Sequence, residues 1–447
     1  MAELEAERAL MLRMARTDEL TGLVNRAAFS AATGERLDTL RRSGEALALL
    51  VVNIDSFRHL NDSLGLTGGD LLLAELGARL KADCARGELA ARLGADEFAL
   101  LTPDIDVARR AERMLSLLSQ PFHVHGRGVQ PGVSIGVALA PQDACEASEL
   151  QDFAQRALVR AKIQGGRRWS VFDAELRAEN ERRRTFEAEL RRAIPAGEFE
   201  PWFQPVVDSA DGRTVGVEVL VRWRHPQQGL LSPAAFLPIA EELGLIGRID
   251  EAVFETACAR ACGWVAEGLI SSVACNVSPR ELMDPAFSRK LIHRLSRTDL
   301  PPTALTVEIT ETFLLQDMAL ARRHIERLAA KGVQIALDDF GTGYSNLRAL
   351  MNLPIQTVKL DRSLIDDLAR SPRASRLVGS MMHAARALGV SIVAEGVEEE
   401  AQAIILRAAG CDRMQGYWFA RPMDARAMDA RLRAEHAIRP AARRAAR

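Results

Sequence analysis

Residues 335–345 read Ile335-Ala336-Leu337-Asp338-Asp339-Phe340-Gly341-Thr342-Gly343-Tyr344-Ser345. A short apolar strand ends here in two adjacent carboxylates, which are followed by a loop with two glycines. Polar side chains at the end of a buried strand are well placed to form a binding or catalytic site. The stretch therefore predicts a metal site that uses Asp338 and Asp339. The alternative interpretation is an ordinary turn with a helix-capping aspartate.

Other apolar runs of the second half of the chain also end in a polar side chain. These side chains are Glu218, Asn276, Glu308, Lys359, Glu395 and Gln415. Segments with helical periodicity, such as 319–331 and 374–388, lie between the runs. Alternating strands and helices with ionisable residues at the strand ends predict a βα-barrel. Five converging acids need cations to neutralise them, so the pattern implies bound metal.

Eight separated motifs in this half of the chain carry a family resemblance. They are Gln204-Pro205, Glu218-Val219-Leu220, Asn276-Val277-Ser278-Pro279, Glu308-Ile309-Thr310-Glu311, Asp338 to Gly343, Lys359-Leu360-Asp361, Ala394-Glu395-Gly396-Val397-Glu398 and Gln415-Gly416-Tyr417. From about Leu190 to Met423 the chain resembles the EAL family of cyclic di-GMP phosphodiesterases, with Val219 in place of the usual Ala. The resemblance implies a modified TIM (β/α)8 barrel over residues 193–425 and a homodimer.

The resemblance also implies a two-metal hydrolysis of cyclic di-GMP to the linear dinucleotide pGpG, with Mg²⁺ or Mn²⁺ as the ions. The first ion would be held by Glu218, Asn276, Glu308 and Asp338, and the second by Asp338, Asp339 and Glu395. Lys359 would orient the attacking water or help to stabilise the charged transition state, and Gln415 would support that water or the surroundings of the second ion. Substrate contacts would come from Gln204, Leu220 and Arg222. Glu311 would anchor the loop after Asp339, or it would only be a carboxylate at the start of a helix.

Composition limits what the whole chain can be. It has 447 residues, a formal net charge of -2 and 48% hydrophobic residues, which fits two or three globular domains and gives no support for nucleic-acid binding. The six cysteines form no CxxC pair, which favours buried thiols in a reducing compartment. No apolar run approaches the roughly 20 residues of a membrane helix. We therefore expect a cytoplasmic protein without a membrane-spanning segment.

Residues 17–172 show an α+β pattern. The sequence predicts strands over 47–54 and 133–140, a helix over 69–80, and a hairpin around Gly94-Ala95-Asp96-Glu97. This region resembles the GGDEF domain of diguanylate cyclases in the motifs Asp18 to Leu23, Asn53 to Arg58, Asn61-Asp62, Gly69-Asp70, Gly94 to Phe98 and Ser134 to Val137. The resemblance implies a ferredoxin-like palm, similar to that of nucleotide cyclases.

Three positions depart from the cyclase pattern. Asn53 replaces a metal-binding aspartate, Ala95 replaces the second glycine of the hairpin, and Gly166 replaces a phosphate-binding arginine. The GTP-contacting positions Asn61, Asp70, Asp96 and Lys162 are retained. We expect a degenerate domain that binds GTP, makes no cyclic di-GMP and regulates the second domain. The alternatives are a non-enzymatic cyclic di-GMP receptor and a bifunctional cyclase and phosphodiesterase.

The remaining segments are charged. Residues 1–16 are expected to form an N-terminal helix, residues 173–192 a linker helix, and residues 426–447 a solvated, partly helical tail rich in Ala and Arg.

Overall fold

A computed structural model of the chain describes residues 16–43, 45–124, 127–310, 317–341 and 347–445. The chain divides into two compact units, Met1–Arg184 and Thr185–Arg447. The division falls inside one helix, Ala174–Ala196. In the described ranges, no helix has both the length and the apolar character needed to cross a membrane. The predicted N-terminal helix lies almost wholly outside the described residues.

The first unit is a six-stranded sheet with helices against it. Its strands lie in the order β1-β3-β4-β2-β7-β8, and a separate hairpin pairs β5 with β6. The strands are β1 (Val24–Asn25), β2 (Leu47–Ile54), β3 (Leu89–Arg92), β4 (Glu97–Thr102), β5 (Phe122–Val124), β6 (Arg127–Val129), β7 (Val133–Ala140) and β8 (Trp169–Val171). The helices of this unit are Arg26–Ser43, Phe57–Asp83, Val107–Leu118 and Ala147–Ile163. The predicted α+β palm is confirmed.

The central strand β2 explains why this sheet is stable. All eight of its residues are buried. Because side chains alternate across a strand, Leu50 and Val52 enter one apolar cluster while Leu49 and Val51 enter a second cluster on the opposite face. A strand covered on both faces reads as a continuous apolar run, which is why the sequence predicted its limits correctly.

The second unit is a closed barrel of eight strands. Parallel pairs join β10, β12, β13, β14, β15, β16 and β17, and β9 closes the barrel by antiparallel pairing with both β17 and β10. The strands are β9 (Phe199–Asp208), β10 (Thr214–His225), β12 (Ser272–Asn276), β13 (Leu305–Thr310), β14 (Gln334–Phe340), β15 (Thr357–Leu360), β16 (Ser391–Ala394) and β17 (Arg413–Met414), and β11 (Gly229–Leu231) forms a hairpin with the end of β10. The single reversed strand makes this a modified TIM barrel, as the sequence predicted.

Helices follow the barrel strands. They are Pro233–Glu242, Ile246–Ala266, Pro279–Leu282, Phe287–Leu295, Met318–Ala329, Leu347–Asn352, Arg362–Ile365, Pro372–Ala387 and Glu400–Ala409, with a short 3-10 helix at Pro302–Ala304. Because the seven parallel strands all point the same way, their C-terminal ends meet at one mouth of the barrel. That mouth is where this architecture places ligands.

The C-terminal segment differs from its prediction. Residues 426–447 were expected to be a solvated, partly helical tail. A helix does run over Ala425–Ala445, but Met428 and Leu432 on it are buried in the core of the second unit. Trp264 donates its indole N–H to Asp429 on the same helix, at 3.0 Å. The prediction is wrong for the first half of the tail, because one apolar stripe with i,i+4 spacing is enough to dock a helix rich in Ala and Arg.

Candidate active site

Seven barrel strands bring the predicted polar side chains together, with Glu218 and Glu308 inside their strands and Glu395 and Gln415 directly after theirs. Register fixes several of them side by side, since Asn276 pairs with Glu308 and Glu218 pairs with Gln204 on the antiparallel strand β9. Glu218, Glu308, Lys359 and Gln415 are all buried, with exposed fractions of 7% or less. Burial of four polar side chains in one place is costly unless they satisfy each other.

Lys359 is the centre of this cluster. Its ammonium nitrogen lies 2.6 Å from Glu395 Oε1 and 2.8 Å from Glu308 Oε2. It also lies 3.5 Å from Asp338 Oδ1 and 3.6 Å from Glu218 Oε2. One ammonium therefore faces four carboxylates, which leaves an excess of three negative charges when all four are ionised.

Two amide side chains hold Glu218 in place. Asn276 donates Nδ2–H to Glu218 Oε1 at 2.7 Å, and Gln415 donates Nε2–H to Glu218 Oε2 at 2.6 Å. Both carboxylate oxygens of Glu218 thus accept a hydrogen bond from a side-chain amide, that of the buried Gln415 and that of the exposed Asn276. This arrangement fixes the rotamer of Glu218 and aims the amide oxygens away from it.

The charge excess shows in the pKa values of the group. Burial, followed by the neighbouring carboxylates, raises the pKa of Glu308 well above its usual range against the opposing effect of Lys359. Burial raises the pKa of Glu395 to about 8. Burial alone would lower the pKa of Lys359, but the surrounding carboxylates raise it well above its usual value. The lysine therefore offsets only part of the negative charge that the four carboxylates carry when they are ionised.

The residues present fit hard divalent cations. Carboxylate and amide oxygens are the donors that Mg²⁺ and Mn²⁺ prefer. Glu308 Oε2 and Gln415 Oε1 are buried oxygens without a hydrogen-bond partner, although Glu308 Oε2 is in ionic contact with Lys359. Within the described ranges, no three acidic, His or Cys side chains are spaced to enclose an ion as they lie. The Lys359 ammonium stands among the carboxylates instead.

Asp338 and Asp339 occupy an irregular strand end. The pairing of β14 with β15 shifts register between Leu337 and Phe340, and Asp339 has a left-handed φ of 54°. In a regular strand, adjacent side chains point to opposite faces. The irregularity relieves that constraint, and Asp338 Oδ1 accepts the backbone N–H of Asp339 at 3.0 Å. Backbone held in this unfavourable region is typical of functional sites.

The predicted substrate-binding residues lie on the first two barrel strands. Gln204 is buried, and its Nε2 lies 3.5 Å from the carbonyl oxygen of Ala420. The guanidinium of Arg222 lies over the ring of Trp202, 5.5 Å from its centroid. Burial lowers the pKa of Arg222, which nonetheless stays far above neutrality because an arginine is always charged.

A cavity of about 240 Å³ adjoins the cluster and holds a residue that the sequence analysis missed. Leu220 and Asn276 line it, together with Asp250 and Glu281. Burial raises the pKa of Asp250 well above its usual range, and the adjacent Glu281 carboxyl raises it further. Asp250 belongs to no strand-end motif. The one signal was a carboxylate at position 250 inside the apolar helical run Ile246–Ala266.

The predicted GTP-binding residues of the first unit lie on two helices and one hairpin. Asn61 and Asp70 lie on the helix Phe57–Asp83, which kinks at Gly65, and Lys162 lies near the end of Ala147–Ile163. Asn61 Oδ1 is buried without a hydrogen-bond partner. Asp96 lies in the hairpin between β3 and β4, as the sequence predicted. Glu311, the remaining predicted site residue, lies outside the described residues.

Two family matches cover most of the chain. Residues 187–422 match the family described as EAL domain, and residues 15–168 match the family described as diguanylate cyclase, GGDEF domain. A solved structure of the PaMucR phosphodiesterase in complex with c-di-GMP is 38% identical, with a TM-score of 0.52 over 54% of this chain and 98% of that one.

Two curated relatives come from Pseudomonas aeruginosa. The bifunctional diguanylate cyclase/cyclic di-GMP phosphodiesterase MucR is 36% identical over 419 residues, covering 93% of this chain and 61% of MucR. The cyclic di-GMP phosphodiesterase NbdA is 34% identical over 441 residues, covering 97% of this chain and 56% of NbdA. This chain thus spans less than two thirds of either relative. It belongs to the EAL domain family and carries a GGDEF domain ahead of its EAL domain.

Proposed function

We propose that the chain is a phosphodiesterase that hydrolyses one phosphodiester of cyclic di-GMP to pGpG. The observation that carries this proposal is the cluster of four carboxylates around the buried Lys359 at the barrel mouth. Because the carboxylates outnumber the one ammonium, the cluster can bind cations, and bound cations can assist a reaction at a phosphate group. The names of MucR and NbdA and the c-di-GMP complex of PaMucR support the choice of substrate.

The proposed cofactors are two divalent ions, Mg²⁺ or Mn²⁺. Glu218, Asn276, Glu308 and Asp338 would hold one, and Asp338, Asp339 and Glu395 the other. When bound, such ions polarise the phosphodiester and activate water. Two buried oxygens support this assignment: Gln415 Oε1, which has no hydrogen-bond partner among the described residues, and Glu308 Oε2, which is in ionic contact with Lys359.

The chain's own side chains supply orientation and charge. Lys359 presents an ammonium that either positions the attacking water or stabilises the charge that develops on the phosphoryl oxygens. Gln415 and Asn276 keep Glu218 fixed through the cycle. The oxygen of water forms a bond to phosphorus, the bond from phosphorus to O3′ breaks, and O3′ takes up a proton. The product retains a 5′-phosphate, which is pGpG.

The Asp250 cavity is the proposed pocket for one guanine base. Guanine carries N–H donors along its Watson–Crick edge, and a carboxylate accepts two such donors side by side. Asp250 and Glu281 place a carboxyl pair in an otherwise largely apolar cavity that begins at Leu220. Arg222 and Gln204 would contact the rest of the substrate. Apolar walls with a few directed polar groups are what a base-specific pocket requires.

The GGDEF domain is proposed to bind GTP without cyclising it and to raise the phosphodiesterase activity. Asn61 is half-buried, and its buried Oδ1 has no hydrogen-bond partner in the described ranges, which supports base recognition. A Cβ on Gly69 would lie 1.8 Å from this oxygen, so the glycine makes room for it. Such coupling must be reciprocal, because cyclic di-GMP would change GTP affinity by the same factor.

Purified full chain incubated with cyclic di-GMP and Mg²⁺ or Mn²⁺ tests the proposal. Conversion to pGpG that is lost in Glu218→Gln is the expected result. The substitution keeps the size of the side chain but removes its charge. Binding of cyclic di-GMP without any turnover would instead identify a receptor.

A further inference from the structure

A second cavity, which is polar, lies in the GGDEF domain. The inference drawn from it rests on the proposed binding of GTP there. It has a volume of about 730 Å³ and lies where β2 ends. Its lining includes Asp55, His59, Gly132, Lys162, Gly166 and Arg167. Lys162 and Arg167 carry two positive charges against the one negative charge of Asp55, so the described lining has a net positive charge with His59 neutral.

The acidic groups that would hold a cation beside this cavity are already engaged within the protein. Asp55 Oδ1 accepts the hydroxyl of Ser134 at 2.7 Å, and Asp55 Oδ2 accepts the backbone N–H of Arg167 at 3.0 Å. Glu97 Oε1 accepts Nε2–H of Gln155 at 3.0 Å. Three of the four carboxylate oxygens thus already accept a hydrogen bond from within the protein.

The third position of this acidic group has lost its charge. Asn53 lies directly across from Glu97 on β4 and from Ser134 on β7, and its side chain is buried. A neutral amide binds a hard divalent cation less well than a carboxylate does. With two engaged carboxylates and one amide, this site does not fit a catalytic metal.

An unusual backbone conformation places Arg167 beside the cavity. Gly165, Gly166 and Arg167 have successive positive φ angles of 109°, 68° and 52°. The turn brings the Arg167 side chain against Gly132. A Cβ added to Gly132 would lie 2.9 Å from Arg167 Nε. A non-glycine residue in this conformation is costly and is maintained where the surroundings require it.

We infer that this cavity binds the polyphosphate of a guanine nucleotide without a divalent cation, with Arg167 and Lys162 supplying the positive charge. Guanidinium binds phosphate oxygens through paired hydrogen bonds, and a lysine ammonium acts as a point charge. Arg167 thereby takes the role of the phosphate-binding arginine that is missing at position 166. A metal-free polyphosphate lacks the activation needed for cyclisation, so the site serves binding alone.

Calorimetric titration of the full chain with GTP tests this inference, once in excess EDTA and once in excess Mg²⁺. We expect dissociation constants that agree within about threefold. Arg167→Ala should weaken binding at least tenfold in both buffers, and Arg167→Lys should weaken it less. Arg86→Ala is the matched control, because Arg86 is exposed and does not line the cavity. Inorganic tripolyphosphate should displace GTP in EDTA.

Two results would overturn the inference in different ways. GTP binding that appears only with Mg²⁺ and is unchanged in Arg167→Ala would refute metal-independent binding, while leaving the proposed regulation by GTP intact. No binding in either buffer, with a folded chain by circular dichroism and active on cyclic di-GMP, would remove both the inference and the proposed regulation.

Discussion

The ammonium nitrogen of Lys359 lies 2.8 Å from Glu308 Oε2, a buried oxygen that has no hydrogen-bond partner in the described part of the chain. The lysine is thus a built-in counter-ion for a carboxylate cluster that has too little positive charge.

Replacing Lys359 with methionine removes the ammonium and keeps most of the side-chain volume. We expect kcat to fall about 100-fold or more, because a fixed cation at developing phosphoryl charge contributes on that order. Lys331→Met, at an exposed lysine of the same unit, is the control and should leave kcat unchanged. Steady-state turnover of cyclic di-GMP is the measurement. Near-normal kcat in Lys359→Met would show that the ammonium serves only to hold the carboxylates.

Removal of divalent metal should destabilise the second unit. Added Mg²⁺ neutralises the carboxylates whose pKa values are raised, Glu308 and Glu395, and a ligand at about 100 times its Kd stabilises by about 2.7 kcal/mol. Thermal unfolding with EDTA and with Mg²⁺ measures the shift. Asp338→Asn should shrink it, whereas Asp299→Asn, at an exposed position, should not. Equal shifts in the two variants would place the stabilising ion elsewhere.

Asp250→Asn should act on substrate affinity more than on chemistry. The amide offers one acceptor oxygen where the carboxylate offers two, so guanine loses a charge-assisted contact. We predict a KM raised about tenfold or more with a smaller change in kcat. Glu255→Gln, on the same helix and in an exposed ion pair with Arg297, is the control. A lowered kcat with unchanged KM would argue against a base pocket.

Of the fold, the barrel and the palm followed from the sequence, and so did the clustering of four predicted carboxylates around Lys359. Glu218, Glu308 and Lys359 each follow apolar residues of a predicted strand and stand in a family motif, so the sequence located them without any knowledge of packing. Asp250 escaped notice because its burial depends on how the helix Ile246–Ala266 packs, which no local pattern encodes. The docking of the helix Ala425–Ala445 escaped notice for the same reason.

The GGDEF domain shows a second kind of feature that the sequence alone did not reveal, the backbone conformation at Gly166. From the sequence, Gly166→Arg looks like a repair of the cyclase site, together with Asn53→Asp and Ala95→Gly. In the structure Gly166 has a φ of 68°, and a Cβ there would lie 3.1 Å from Asp55 Oδ2. An arginine at this position would therefore be strained, and Arg167 already lines the cavity. The backbone, which a sequence comparison does not display, decides whether such a repair is possible.

Glu88 offers a test of stability in the first unit. It is buried against Arg110, with two hydrogen bonds of 2.8 Å. Burial alone would raise the pKa of Glu88, but the bonds from Arg110 and from the backbone N–H of Ala85 lower it below its usual value. A lowered pKa in the folded state means stability that is present above about pH 4.3 and is lost as pH falls through the folded value.

Glu88→Gln should therefore lower the free energy of unfolding of the first unit by about 2 kcal/mol at pH 7. The difference between the two chains should shrink as the pH falls below about 4. Urea unfolding of both chains, at pH 7 and at a pH below about 4, measures the difference in the free energy of unfolding. Glu75→Gln, at a more exposed ion pair with Arg79, is the control. A difference that is the same at both pH values would mean that the charge of Glu88 is not what stabilises this unit.

Hydrolysis in H₂¹⁸O tests the central claim most directly, because it reports the substrate, the reaction and the bond that breaks. The full chain with cyclic di-GMP and Mn²⁺ should yield pGpG that contains one ¹⁸O, located in the 5′-phosphate and absent from O3′. Mass spectrometry of the product and its fragments reads the label. Cyclic di-GMP recovered intact and unlabelled, under conditions where calorimetry shows it bound, would contradict the account and make the barrel a receptor.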